Sequence, residues 1–239
     1  MPANLSSRKF LDKIRSFVFF VIVCLLIFIF FYTLNNVFAI KDIEIESDKK
    51  DLIGIQELKK SNLIFISQKE IKELIIKKNP EVDKVTIEKE YPSTLILKIK
   101  IERPIANLLV NQGYFYLSSF GKILLKSKNP VKELPIINYY QKLNFQSYSA
   151  GNVLTYKDIK LTLDLIIGVI DLGFKIVYID ISGVNMLLFN VGEKKIIFSS
   201  EKEAGSQLFQ LQQIVKQFKV EGRAFKEIDL RYDKPVVRF

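Results

Sequence analysis

The chain has 239 residues, no histidine, no tryptophan, one cysteine and a formal net charge of +10 at pH 7. Without histidine there is no Ser-His-Asp or Cys-His couple, no usual zinc site and no side-chain switch near neutral pH, although carboxylate or lysine chemistry stays open. Arg8, Lys9, Lys13 and Arg15, less Asp12, put +3 of the charge ahead of an apolar run, and the remaining +7 is interleaved Lys and Glu, a solvated surface rather than a nucleic-acid groove.

Residues 16–40 carry no charged side chain, and Phe17 to Leu34 is almost wholly apolar. As a helix this stretch spans roughly 27 Å, close to the ~30 Å hydrocarbon core of a bilayer. A cleaved signal peptide is the competing reading, with Val37-Phe38-Ala39 as a small-residue cleavage site. The run exceeds the usual apolar segment of such peptides, about 7–15 residues, which favours an uncleaved anchor. The basic cluster ahead of it places residues 1–15 in the cytoplasm and everything after Ile40 outside. Cys24 lies inside the anchor, so the exported part has no cysteine for disulfides.

Beyond the anchor, Lys41–Glu46 alternates as a strand and Ile53–Lys60 suits a short helix. Ser67 and Glu70 form a capping box for a helix whose apolar stripe is Ile71, Leu74 and Ile75, with Lys77 and Lys78 in its last turn and Asn79-Pro80 ending it. Val82–Glu90 and Thr94–Glu102 read as strands joined by Tyr91-Pro92-Ser93. Strand, helix, helix, strand, strand makes a complete small core, with two helices on one face of three strands. Pro104 then interrupts the pattern, so the first exported domain is expected over residues 41–103 and a second over 104–239, meeting near Ile101–Ala106.

The second domain reads as mostly antiparallel β with two packed helices, which makes the exported part α+β. Its strands are expected near Ala106–Val110, Tyr114–Leu117, Lys122–Leu125, within LPIINY, and at Lys175–Ile181, Met186–Val191 and Lys194–Phe198. The helices are expected over Tyr156–Leu172 and Glu201–Val220, the latter with a buried stripe of Leu208, Leu211, Ile214, Val215 and Phe218. The closing EIDLRYDKPVVRF alternates from Ile228 to Tyr232 and is expected to be one edge strand, with Ile228 and Leu230 inward and a bulge around Asp233-Lys234-Pro235. No phosphate-loop, dinucleotide, calcium-loop or CxxC motif occurs, and the Glu44/Glu46 and Glu88/Glu90 pairs are explained by strand patterning. The chain offers surfaces rather than a reaction centre, and no cofactor is expected.

VDKVTIEKEYPSTLILKIKIERPIA (Val82–Ala106), GYFYLSSFGKIL, LPII and IDLRYDKPVVR follow a basic N-terminus and one anchor. In this the chain resembles the FtsQ/DivIB family of bacterial cell-division proteins, whose first exported domain is a POTRA domain. Ser118 stands where the family often has Asp in a turn, and Ser61 where Gly is common. The resemblance implies a non-enzymatic, single-pass protein of the division septum, with its N-terminus cytoplasmic. It also implies that the protein links early and late divisome components by binding FtsB/DivIC-like and FtsL-like partners, with no nucleic acid. Carried onto this chain, it points to Arg231, Tyr232, Asp233, Lys234 and Val236 as a partner site that pairs by strand addition. Ile87 and Lys89 on Val85–Glu90 are implied as a recruitment surface. The competing classes are a POTRA-containing envelope transport or assembly module, and a membrane-anchored extracytoplasmic enzyme.

Overall fold

The computed structural model describes residues 5–49, 51–183 and 185–239; the first four residues of the expected cytoplasmic segment lie outside these. The chain forms two compact units. The first runs to Lys78 and takes in Lys84–Lys100, and the second comprises Asn79–Asp83 and Ile101–Phe239.

The first unit opens with α1 (Leu5–Val37). Its Arg15–Val37 portion, 23 residues of mean hydropathy 3.0 with none of that apolar surface buried, is long enough to cross a membrane. The small domain behind it follows the expected order: β1 (Asp42–Glu46), α2 (Ile55–Leu58), α3 (Gln68–Lys78), β2 (Val82–Glu90) and β3 (Thr94–Ile101). The sheet order is β1-β3-β2, with β1 parallel to β3, so β1 and β2 are its two edges. The capping box forms: the Glu70 carboxylate accepts from the Ser67 N–H at 3.2 Å, and Ser67 Oγ accepts from the Lys69 N–H at 3.1 Å. Ile71 and Ile75 of α3 are fully buried, as are Leu95 and Leu97 of β3, because one face of the sheet is covered and the other is wet.

The second unit is a nine-stranded mixed sheet carrying two helices. Its strands are β4 (Ala106–Val110), β5 (Gly113–Leu117), β6 (Ile123–Ser127), β7 (Ile136–Tyr139), β8 (Tyr178–Ser182), β9 (Met186–Val191), β10 (Lys194–Phe198), β11 (Glu227–Asp229) and β12 (Val236–Arg238). They lie in the order β12-β11-β10-β9-β8-β7-β4-β5-β6. Most neighbours are antiparallel, but β4–β7, β7–β8 and β10–β11 are parallel. Two of these parallel partners are reached through helices, α4 (Lys157–Asp171) before β8 and α5 (Ala204–Glu221) before β11. The core joins Phe115, Ile137, Ile179, Phe189, Phe198 and Ile228 of the sheet to Ile159, Leu163, Ile166 and Val169 of α4 and to Leu211 and Val215 of α5. The helices lie against each other where Gly168 has no side chain and Leu208 occupies the space.

Several local expectations are modified. The strand expected from Lys175 begins at Tyr178. The buried stripe of α5 includes Gln207, four residues before Leu211 and so on the same face, which its polarity kept out of the expected apolar stripe. Its amide donates to the carbonyls of Ser199 and Lys202 at 3.0 and 3.1 Å and accepts from the Ser199 N–H at 2.7 Å. Burial is tolerated because every polar atom is matched, and the contacts tie the start of α5 to the end of β10. Leu208, Ile214 and Phe218 pack against the core but are only partly buried. Ser118 is buried, and its Oγ accepts from the N–H groups of Phe120 and Lys122, both at 3.2 Å, so it supplies the side-chain acceptor of this turn. The expected terminal strand is two strands: β11 ends at Asp229, the chain turns through residues 230–235, and β12 returns antiparallel to β11.

Candidate interaction edge

The segment that ends the large sheet is built from β10 outward. β11 pairs parallel with β10 in the register Ile196↔Ile228 and Ile197↔Asp229. The Lys195 N–H donates to the Lys226 carbonyl, and the Leu230 N–H donates to the Ile197 carbonyl, each at 2.8 Å. Main-chain groups alternate sides along a strand, so the Lys226 carbonyl, the groups of Ile228 and the Leu230 N–H face β10. Glu227 and Asp229 turn theirs toward β12, where the Lys226 N–H also donates, to the Arg238 carbonyl at 2.8 Å. The register pairs Glu227 with Arg238 and Asp229 with Val236. Val236 and Arg238 therefore point their N–H and C=O inward, and Val237 alone in β12 points both outward. β12 is the end of the sheet order, and among the described residues no other strand covers it.

Side chains on the hairpin sort by face. Ile228 and Leu230 are buried as expected, and Val237 packs against the same core. Asp229 is buried on the opposite face, where it receives the Arg231 fork. Nη2 lies 2.7 Å from Oδ2, Nε 3.0 Å from Oδ1, and the Arg231 N–H adds a bond of 3.1 Å. Burial pushes the Asp229 carboxyl upward, but these bonds and the guanidinium charge outweigh it and hold the group below the usual aspartate range. One residue pair further out, Arg238 Nη1 lies 3.3 Å from Glu227 Oε1.

The sequence-derived site residues thus separate. Arg231, expected to offer its fork to a partner, closes it on Asp229 because the two lie two residues apart at the end of β11, within reach of a bidentate pair. Tyr232 is 55% exposed with its ring beside the Arg231 guanidinium, and Val236 is 47% exposed on the edge. Lys234 is exposed in the turn, and exposed Asp233 lies 3.4 Å from Lys202 Nζ. The bulge expected around Asp233-Lys234-Pro235 is the turn itself. Sequence reasoning missed Val237, whose main chain matters more than its side chain. It also missed Asp229 as the partner of Arg231, although the Asp-x-Arg spacing was a signal for it.

Ile87 and Lys89 are corrected as a recruitment surface. Ile87 is buried, and Lys89 donates to the Ile66 carbonyl at 2.8 Å, so both face into the small domain. The period of two that sets β2 leaves Thr86, Glu88 and Glu90 on the wet face. What β2 does offer is its main-chain edge. Among the described residues, no group of three or more His, Cys, Asp and Glu side chains is placed to hold a metal ion.

Residues 38–102 match the family described as POTRA domain, FtsQ-type. The small domain behind α1 is an FtsQ-type POTRA domain. The match ends at residue 102 and leaves the large sheet outside it. No curated protein matches the chain. A POTRA domain of this type directly behind an N-terminal apolar helix supports an FtsQ/DivIB-like bitopic protein and associates the chain with cell division, in agreement with the resemblance of its sequence.

Proposed function

We propose that the protein is a non-enzymatic scaffold of the bacterial division septum. It is anchored by α1 with its N-terminus in the cytoplasm, and its POTRA domain and large sheet act outside as two modules. In this reading the sheet binds FtsB/DivIC-like and FtsL-like bitopic partners, and a partner segment adds to β12 as a further strand. The observation that carries the reading is the outward main chain of Val237 at the uncovered end of the sheet, in a chain whose first exported domain is of the FtsQ type. Strand addition takes its affinity from main-chain bonds and its specificity from alternate side chains. Val236 and Arg238 are the side chains on the wet face, and Tyr232 stands at the rim with a large aromatic surface and a polar tip. Arg231 acts through Asp229, by holding the turn from which β12 departs. The edge strand β2 is the corresponding recruitment candidate on the POTRA domain.

The test is titration of the exported region with an FtsB-like peptide, with thermal melts in parallel. Val237→Pro removes the outward N–H and is expected to cost at least ~2 kcal/mol of binding, roughly thirtyfold in affinity, as interface anchors do. Tyr232→Ala is expected to weaken capture without changing the melt. Undiminished binding by Val237→Pro at unchanged stability rejects docking at β12.

A further inference from the structure

The POTRA domain is attached to α1 without a flexible linker. The Leu63 N–H donates to the Phe38 carbonyl at 2.7 Å, the Ile40 N–H donates to the Ser61 carbonyl at 3.1 Å, and Ala39 bridges Asn62. The Asn62 side-chain amide reaches back to the carbonyls of Leu34 and Asn35 in the last turns of the helix, both at 3.4 Å. The oxygen of the same amide accepts from the Ile64 N–H at 2.9 Å, and the Ile66 N–H returns to the Asn62 carbonyl, also at 2.9 Å. Asn62 therefore fixes a tight turn over residues 62–66 to the end of α1. Lys89 of β2 braces its far side through the Ile66 carbonyl.

At the tip of that turn Ile64 is 40% exposed and Phe65 is 68% exposed. A second turn borders the same helix end. Tyr91 sets its ring edge-on to Phe38 with centroids 6.1 Å apart, yet remains 59% exposed. Single exposed hydrophobes are ordinary on a protein surface. Here, three large ones come from two separate turns, both held within one residue of Phe38. The almost wholly apolar stretch from Phe17 ends at Leu34 and is followed by Asn35-Asn36, so with α1 across a bilayer the carbonyls that Asn62 binds lie at the hydrocarbon boundary. Phe65 is three residues from Asn62 and cannot be more than about 11 Å from it. The headgroup layer on each side of a bilayer is roughly 5–8 Å thick.

We infer that Ile64, Phe65 and Tyr91 form a membrane-contacting tip, which beds the POTRA domain in the headgroup layer of the bilayer that α1 spans. The apolar side chains enter the boundary region, where aromatic rings with one polar end are favoured. The turn held by Asn62 and Lys89 keeps them there. Docking of this kind fixes the tilt of the domain relative to the membrane and hence the height at which the edge strand β2 is presented. The inference rests on α1 crossing the bilayer, which incorporation into lipid nanodiscs reports separately.

The test uses the full chain in nanodiscs. Cys24→Ala removes the single native thiol, and Phe65→Cys then takes an environment-sensitive fluorophore. Lys84→Cys serves as the reference, exposed on β2 and about 23 Å along the strand from Tyr91. The label at 65 is expected to emit at shorter wavelength than the label at 84, to lose intensity when lipids carry a shallow quencher, and to be protected from aqueous iodide. Ile64→Cys repeats the measurement should the first variant fail to match the parent's thermal melt. Labels at 64 and 65 that iodide quenches as readily as the label at 84, with no response to the lipid-borne quencher, overturn the inference while leaving the anchor in place.

Discussion

The two edges of the nine-stranded sheet are finished in opposite ways. β6 is sealed by the chain itself: the Ile123 N–H donates to the Asn152 carbonyl at 2.8 Å, the Gly151 N–H returns to the Ile123 carbonyl at 2.7 Å, and Lys126 Nζ reaches the Tyr148 carbonyl at 2.6 Å. β12 is a three-residue strand, and the outward main chain of Val237 meets no other strand among the described residues. Uncovered edges invite unwanted pairing, and proteins ordinarily cover, shorten or charge them. The β12 edge is shortened, set beside Pro235 and flanked by Arg238, all of which limit self-association. It is not covered. Within one sheet, one edge is closed by the chain's own main-chain bonds and the other is left open to a further strand.

Four substitutions or conditions can break or sharpen that contrast, and the largest effect is expected at the sealed edge. Ile123→Pro removes a bond that seals the sheet at a fully buried position and is expected to cost about 3 kcal/mol or more in chemical denaturation of residues 38–239. A loss below ~1 kcal/mol there would mean that the 148–154 segment covers β6 without stabilising it.

Next comes Arg231→Ala, which strands the buried Asp229 carboxylate. Breaking a fully buried pair costs about 3–5 kcal/mol, and the partial exposure of Arg231 lowers the expectation to ~2 kcal/mol. Arg231→Lys should recover little of this, because an ammonium cannot reproduce the two-pronged geometry. If Arg231→Ala instead leaves stability intact and weakens only partner capture, the fork is free for the partner and its pairing with Asp229 is incidental.

Val237→Pro is expected to change stability by no more than about 1 kcal/mol, since the N–H it removes faces outward and an edge strand tolerates proline. The contrast with Ile123→Pro is then a direct reading of which edge the fold depends on. A large loss that Val237→Ala, which removes the core packing but keeps the N–H, does not share would place the Val237 N–H in an internal bond and reverse the register argument.

The smallest effect is on acid stability. The folded-state value of Asp229 lies below its ordinary one, so its contribution is fully present above about pH 4, the usual aspartate value, and is lost as pH falls through the lower folded value. The melting temperature of wild type is expected to exceed that of Asp229→Asn at neutral pH and to converge with it in acid. A gap that stays constant below the folded value would show that the carboxylate does not act through its charge.

The sequence by itself determined the elements whose cause is local. A run of uncharged residues longer than a bilayer core is thick makes a helix able to span one, whatever it is joined to. The Ser67–Glu70 capping box, the Asn79-Pro80 stop and the alternation of β2 and β3 each involve residues near one another in the chain. Ile228 and Leu230 could be assigned to the core for the same reason. Tertiary structure decided what depends on distant pairing. Alternation from Ile228 to Tyr232 cannot reveal that β11 stops at Asp229, because the stop is set by the parallel register with β10, some thirty residues earlier, and by the Arg231 fork closing behind it. The same register settles that Val237, and not Val236, faces outward, since the main-chain groups that β11 gives to β10 are unavailable to β12. Ile87 turned inward because the face of β2 is chosen by the core it meets, and Gln207 could be buried only because Ser199 and Lys202 were brought to it. Periodicity tells which residues share a face; it cannot say which face is covered, or which strand edge is left open.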